Sequence, residues 1–421
     1  MRLTPIYLDS SIAALRAVQS LEHPADAMLR YFFRENPELG VNDRAFIAEI
    51  IFGILRHRFF LESVTETSTP RALVLAYLVK FYGMNLRELL PLVSETEVKW
   101  LSKIKAVSLE SQSSATQAEF PDWLMEKLQN FMSDKDILNL GLSLQQSASL
   151  DLRVNTLITS RDEVLAVLSK DGIEAQITPY SPIGIRLIIK STINRHELFL
   201  SGKIEIQDEG SQLLGYLLGP KRGNLVVDFC AGSGGKTLML GALMCSQGRI
   251  YAFDISEKRL NALKPRLKRS GLSNLSLQRI NNENDLKVKR LTGKIDRVLV
   301  DAPCSGLGTL RRNPDLKWRQ SPQSIEELKC KQKLILSAAA KLLKPGGRLV
   351  YATCSFLAEE NQEIIEHFLV GHNQFKLLNC AELLAQHQIS LDTGRFLQLL
   401  PNLHGTDGFF AAALEFVKKE I

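Results

Sequence analysis

Leu225-Val-Val-Asp-Phe-Cys-Ala-Gly-Ser-Gly-Gly-Lys236 is a short apolar run that breaks into glycines and leads into a helix-forming stretch, Lys236 to Met244. An apolar run, a glycine turn and then helical periodicity predict strand, loop and helix. The pattern repeats. Arg249 to Asp254, Leu275 to Ile280, Arg297 to Asp301 and Arg348 to Thr353 read as further strands, with Ser324 to Leu343 the clearest long helix between the last two. Such alternation predicts a parallel, doubly wound sheet over 223–421. Phe409 to Phe416 is expected as a late antiparallel edge strand.

The glycine loop sits where backbone N–H groups and a helix N-terminus receive a polar ligand. A P-loop would require glycine at position 230, where Cys230 stands, so ATPase chemistry fails on spacing. Asp254 closes the second strand, where a carboxylate can accept hydrogen bonds from ribose hydroxyls. Loop and acid suit a nucleoside cofactor, and on these alone NAD and other nucleosides fit equally.

Two later strands carry the chemistry. Val298-Leu-Val-Asp-Ala-Pro-Cys304 ends in an acid, a proline and a thiol, and Leu349-Val-Tyr-Ala-Thr-Cys354 repeats the plan. Ligands bind beyond the carboxyl ends of strands in open α/β sheets, so both thiols and Asp301 are expected at the site. Carbon 5 of cytosine is a poor nucleophile, and a thiolate adding to carbon 6 makes it enamine-like, able to attack a methyl group. Asp301 could serve the ring nitrogen as an acid. An oxidoreductase offers no such task for paired thiols.

Outward from this segment, Ile12 to Lys105 is helical in periodicity, and Ser108 to Gln117 (SLESQSSATQ) reads as a linker or a long loop. The domains expected are 1–120, all-helical; 121–222, a small α+β unit with a helix at Arg161 to Lys170; and 223–421. With 421 residues, two or three domains are anticipated. Hydrophobic residues make up 45% and charged residues 23%, and no stretch reaches the roughly 20 apolar residues of a membrane span. Asp9, Glu22 and Asp26 argue against a secretory signal, so a cytoplasmic location is expected.

The six cysteines form no C-x-x-C pair and the seven histidines show no ligand spacing with them, so neither disulfides nor a metal are expected. The net charge of +6 is modest. Three basic runs could meet phosphates: Lys258, Arg259, Lys264, Arg266, Lys268 and Arg269; Lys287, Lys289, Arg290 and Lys294; Arg311, Arg312, Lys317 and Arg319. A solvated helix face explains the first two equally well.

On these motifs the chain resembles the Fmu/Sun family of RNA cytosine-C5 methyltransferases over nearly its whole length. The family's D-x-C-A-A-P-G-G-K-T is met by Asp228, Cys230, Ala231, Gly234, Gly235, Lys236 and Thr237, with Gly232 and Ser233 in place of Ala-Pro. Its L-D-A-P-C-S and T-C-S match Asp301 to Ser305 and Thr353 to Ser355, before Glu359, Glu360 and Asn361. The resemblance implies a Rossmann-like domain that binds S-adenosylmethionine through residues 230–236, Asp254, Asn282 and Asp301. Asn282 stands where the family has an acid, with Asn281 or Glu283 as alternatives. It implies Cys354 as nucleophile, Cys304 in product release, Asp301 at the target base and Lys236 close by. The division between the thiols rests on the family, since DNA cytosine methyltransferases use the Pro-Cys thiol. RNA is the implied partner, ribosomal RNA of the small subunit first and transfer RNA as alternative, with no DNA. Asn42-Asp-Arg-Ala45 and Ile51 to Arg56 resemble a NusB-like module. Arg153-Val-Asn155 and Gln207 to Ser211 resemble a small RNA-positioning domain, and Thr406 to Phe410 the family's closing strand. A non-catalytic assembly factor is the other class of function kept open.

Overall fold

Residues 4–189 and 191–417 are described by the computed structural model. Their internal contacts gather them into two units: residues 1–147 with 309–322, and residues 148–308 with 323–421.

The second unit opens with four short strands, β1 (Leu150–Val154), β2 (Ala175–Ile177), β3 (Gly184–Leu187) and β4 (Ile204–Ile206). They form an antiparallel sheet in the order β2-β3-β1-β4. The helix Arg161–Lys170, capped by Ser160, packs on it through Val164 and Leu168. The helix Glu209–Leu218 then leads to β5 (Leu225–Asp228), β6 (Arg249–Asp254), β7 (Leu275–Arg279), β8 (Ile295–Asp301) and β9 (Leu343–Thr353), which are mutually parallel. β10 (Phe375–Leu377), β11 (Leu397–Leu399) and β12 (Phe409–Phe416) complete an eight-stranded mixed sheet of order β10-β12-β9-β8-β5-β6-β7, with β11 on β12.

Helices cover both faces of this sheet. Val226, Val227, Val298, Leu299, Leu349 and Val350 are all fully buried, which is why the strands read as unbroken apolar runs. β12 is not an edge strand as expected, because it lies between β9 and β10. Its sequence Phe409-Phe-Ala-Ala-Ala-Leu414 is buried on both faces, the signature of an interior strand.

In the first unit the helices Val41–Arg56 and Pro70–Lys80 supply the core, with Ile47, Ile50, Ile51, Ile54 and Leu73 to Val79 all buried. Ser108 to Gln117 is ordered rather than a linker: Ser108 and Ser113 accept from backbone N–H groups and so cap a 3-10 turn and the helix Ser114–Ala118. The helix Asp134–Leu144 packs on that helix so closely that a Cβ on Gly141 would come within 2.6 Å of Ala118. By internal contacts 121–147 go with the helical unit and 148–222 with the large sheet. No helix among the described residues is long and apolar enough to cross a membrane.

Candidate active site

Four adjacent strands, β6, β5, β8 and β9, end at one edge of the sheet, and the segments beyond them line a cleft of about 650 Å³. That size suits one medium-sized ligand. Residues 229 to 236, Asp254, Asn282, Asp301, Cys304 and Cys354 all face it. Every residue expected at the site is thus brought to one place; Glu283 lines it too.

The loop after β5 turns because Gly232 and Gly234 adopt φ of 56° and 83°. A Cβ at Gly234 would lie 2.2 Å from Leu263, so no larger residue fits there, whereas Gly232 faces open space. Asp254 receives the N–H of Gly232 at 2.8 Å on one oxygen and that of Ser256 at 2.7 Å on the other. Beneath the loop, Asp228 is buried, takes the Thr237 hydroxyl at 2.7 Å and is pushed by burial up to about 7. Burial and the neighbouring Asp228 hold the Cys230 thiol well above the ordinary range, so it stays a neutral wall of the cleft.

At the reactive end, Lys236 Nζ donates to Asp301 Oδ2 at 2.7 Å. Burial disfavours the ammonium, but the adjacent Asp301 carboxylate outweighs it and raises the lysine's pKa. The sulfurs of Cys304 and Cys354 stand 3.4 Å apart, and the N–H of Cys354 points at Cys304 Sγ at 3.3 Å. Contact with Cys354, then burial, raises the Cys304 thiol well above its usual range.

The thiol-bearing segments are held by groups that sequence reasoning left without a role. Glu360 is fully buried and accepts from the N–H of Ser305 (2.9 Å), its hydroxyl (2.5 Å) and Gln332 Nε2 (3.0 Å). The Ser355 hydroxyl lies 3.1 Å from that of Ser305, and Asn361 Nδ2 donates to the Ser355 carbonyl at 3.0 Å. Gly308 receives the N–H of Gly408 at 2.8 Å and donates to the Cys354 carbonyl at 2.9 Å. A Cβ at Gly308 would meet Gly408 O at 2.1 Å, which explains glycine at both positions. Asn282 is exposed at the rim, its side chain accepting from the N–H of Asn284 at 2.9 Å.

The basic runs divide. Lys258, Arg259, Lys264, Lys268, Lys287, Lys289, Arg290 and Lys294 are exposed, and Arg259 reaches the cleft. Arg266 and Arg269 are taken by Glu205, each at 2.8 Å. The third run does not offer itself to phosphates: Arg311 and Lys317 are buried within the helical unit, and Arg319 pairs with Asp315. No cluster of three or more metal-ligating side chains occurs among the described residues.

A doubly wound sheet with a glycine loop after β5, an acid ending β6 and the cleft along the strand ends defines a Rossmann-like domain built for a nucleoside cofactor. Residues 215–415 match the family described as 16S rRNA methyltransferase RsmB/F, and residues 120–194 match the ferredoxin-like domain of the same proteins. The chain belongs to that family. A probable ribosomal RNA small subunit methyltransferase B from Synechocystis is 33% identical over 95% of this chain and 97% of its own. The ribosomal RNA small subunit methyltransferase B of Photorhabdus laumondii is 34% identical over 72% and 68%. Among solved structures, PH0851 superposes with a TM-score of 0.78 at 27% identity, covering 99% of both chains.

Proposed function

We propose that the protein transfers a methyl group from S-adenosylmethionine to carbon 5 of a cytosine in small-subunit ribosomal RNA, through a covalent bond between Cys354 and carbon 6. The observation that carries this reading is the pair of thiols 3.4 Å apart in one cleft with the Lys236–Asp301 ion pair. The names of the relatives support ribosomal RNA as substrate.

The cleft fits the cofactor. Backbone around Gly232 is open to it, and the Asp254 carboxylate at the end of β6 is placed for ribose hydroxyls. Asn282 and Glu283 line the same cleft and would hydrogen-bond the cofactor's base. Bound there, S-adenosylmethionine supplies an electrophilic methyl carbon.

The chain's own groups do the rest. The neighbouring thiol and burial hold Cys304 protonated, so the attack on carbon 6 falls to Cys354. As the S–C6 bond forms, electrons move to ring N3, which takes a proton passed from the Lys236 ammonium through the Asp301 carboxylate along their 2.7 Å bond. Carbon 5, now enamine-like, takes the methyl group as its bond to the sulfonium sulfur breaks, leaving S-adenosylhomocysteine. Its proton then leaves to water, the C5=C6 bond re-forms, N3 returns its proton, and the C6–S bond breaks. Cys304 S–H, 3.4 Å from the departing sulfur, stabilises that thiolate. One proton is released per turnover, and both thiols return to their starting states.

Bisulfite sequencing of total RNA from cells with and without the gene tests reaction and substrate together. One small-subunit ribosomal cytosine should lose its protection in the deletion strain; an unchanged map would overturn the reading.

A further inference from the structure

The helix Glu257–Ser270 meets the glycine loop with two side chains three residues apart, hence on one face. Leu263 lies against Gly234, and Arg266 Nη1 donates to the Ser233 carbonyl at 2.7 Å, reaching its hydroxyl at 3.4 Å. The rest of the guanidinium is engaged elsewhere: Nε and Nη2 donate to Glu205 Oε2 at 3.1 and 2.8 Å. Glu205 belongs to β4 of the small sheet, where it sits opposite Arg153 of β1 and is buried. Its other oxygen takes Arg269 at 2.8 Å.

We infer that Arg266 is a positioning residue for the cofactor loop, held in place by Glu205, so that the small sheet sets the geometry with which the loop receives its ligand. This rests on the cofactor reading above. Ser233 lies between two glycines at positive φ, residues whose backbone is intrinsically free to move. Besides the backbone bond from Gly234 to Ala231, two side chains hydrogen-bond this stretch, Asp254 at Gly232 and Arg266 at Ser233. A planar fork bonded along two edges has one orientation, which an unpaired arginine lacks. Neither Arg266 nor Glu205 is among the residues lining the cleft, so any effect they have on ligand affinity passes through the loop. Removing the guanidinium frees the loop in the empty protein, and binding must then order it.

The test is titration of S-adenosylmethionine into the full chain by isothermal calorimetry. R266Q should raise the Kd about tenfold. E205Q should raise it less, by about threefold, and E205Q/R266Q should be no worse than R266Q alone, because both act on one contact. R269Q is the control: it breaks a bond to the same glutamate but touches no loop atom, and should leave the Kd unchanged. In turnover assays the R266Q effect should fall on the KM for the cofactor, with kcat unchanged. An unchanged Kd in R266Q, or an equal rise in R269Q, overturns the inference. Wild-type protein that takes up no S-adenosylmethionine would overturn the cofactor reading instead. If R266Q does not fold, E205Q against R269Q makes the same comparison.

Discussion

Cys304 and Cys354 are chemically the same and almost in contact, and their surroundings separate them. Cys304 is pushed up by the neighbouring thiol and by burial, which keeps it in the S–H form that can donate a hydrogen bond. Cys354→Ala should therefore lower methylation by at least about a thousandfold, as removal of a nucleophile does. Cys304→Ala should instead leave addition and methyl transfer intact and slow elimination. A covalent protein–RNA adduct should then accumulate and survive a denaturing gel. Substantial activity in the first variant, or no adduct in the second, would reverse or remove the assignment. Both thiols were legible in the sequence because each lies at the end of its own apolar strand, within a few residues of the signal. Their separate tasks were not, since the distance between them is set by how β8 and β9 pair.

The segments after β8 and β9 reach the cleft without regular structure to hold them, and Glu360 ties them together. Glu360 itself follows β9, and it fixes Ser305 after β8 directly and through Gln332, which also holds the Pro303 carbonyl, while the Ser305 and Ser355 hydroxyls lie 3.1 Å apart. The sequence shows Glu359 and Glu360 side by side with nothing to choose between them. Burial decides: Glu360 is fully enclosed, while Glu359 pairs with Lys329 at 3.1 Å. Replacing Glu360 with Gln keeps the shape but puts an NH2 group among donors, since Oε1 faces two N–H groups and Oε2 a hydroxyl. The variant should lose about 2 kcal/mol of stability in denaturant titration. Its kcat should fall by at least about tenfold, because both thiols move off their line of attack. The KM for the cofactor should hold, as Glu360 is not among the groups lining the cleft. A change confined to KM would show that the clamp serves the cofactor instead. The same reasoning explains the misplaced β12: period and composition identify a strand, but its neighbours are fixed only once β10 and β11 come from distant sequence to pair with it.

The chain passes between its two units three times, because residues 309–322 leave the methyltransferase fold and join the helical unit. The sequence reads Lys317 in that segment as one of a basic run, since a positive side chain near arginines looks alike whether it meets phosphate or protein. Here it is a core residue. Its Nζ donates to the carbonyl of Arg56, which ends the helix Val41–Arg56, and to that of Glu119, both at 2.9 Å. The Glu119 carboxylate accepts the N–H groups of Phe59 and Phe60, in the first turn of the helix Arg58–Thr65. A cation at one helix's C-terminus and an anion at the next helix's N-terminus answer both dipoles at the elbow between them. Burial nonetheless pulls Lys317 down to about 8 and raises Glu119, so each ion depends on the other to stay charged. Lys317→Met keeps most of the volume and leaves Glu119 buried without its counter-ion, which should cost about 3–5 kcal/mol. That loss belongs to the helical unit alone. Calorimetry should therefore show one transition moved to lower temperature and the other unmoved, and saturating S-adenosylmethionine should raise only the second. Adding Glu119→Gln should recover part of the loss by removing the stranded charge. A single transition that falls as a whole would mean instead that the two units unfold together, with the inserted segment coupling them.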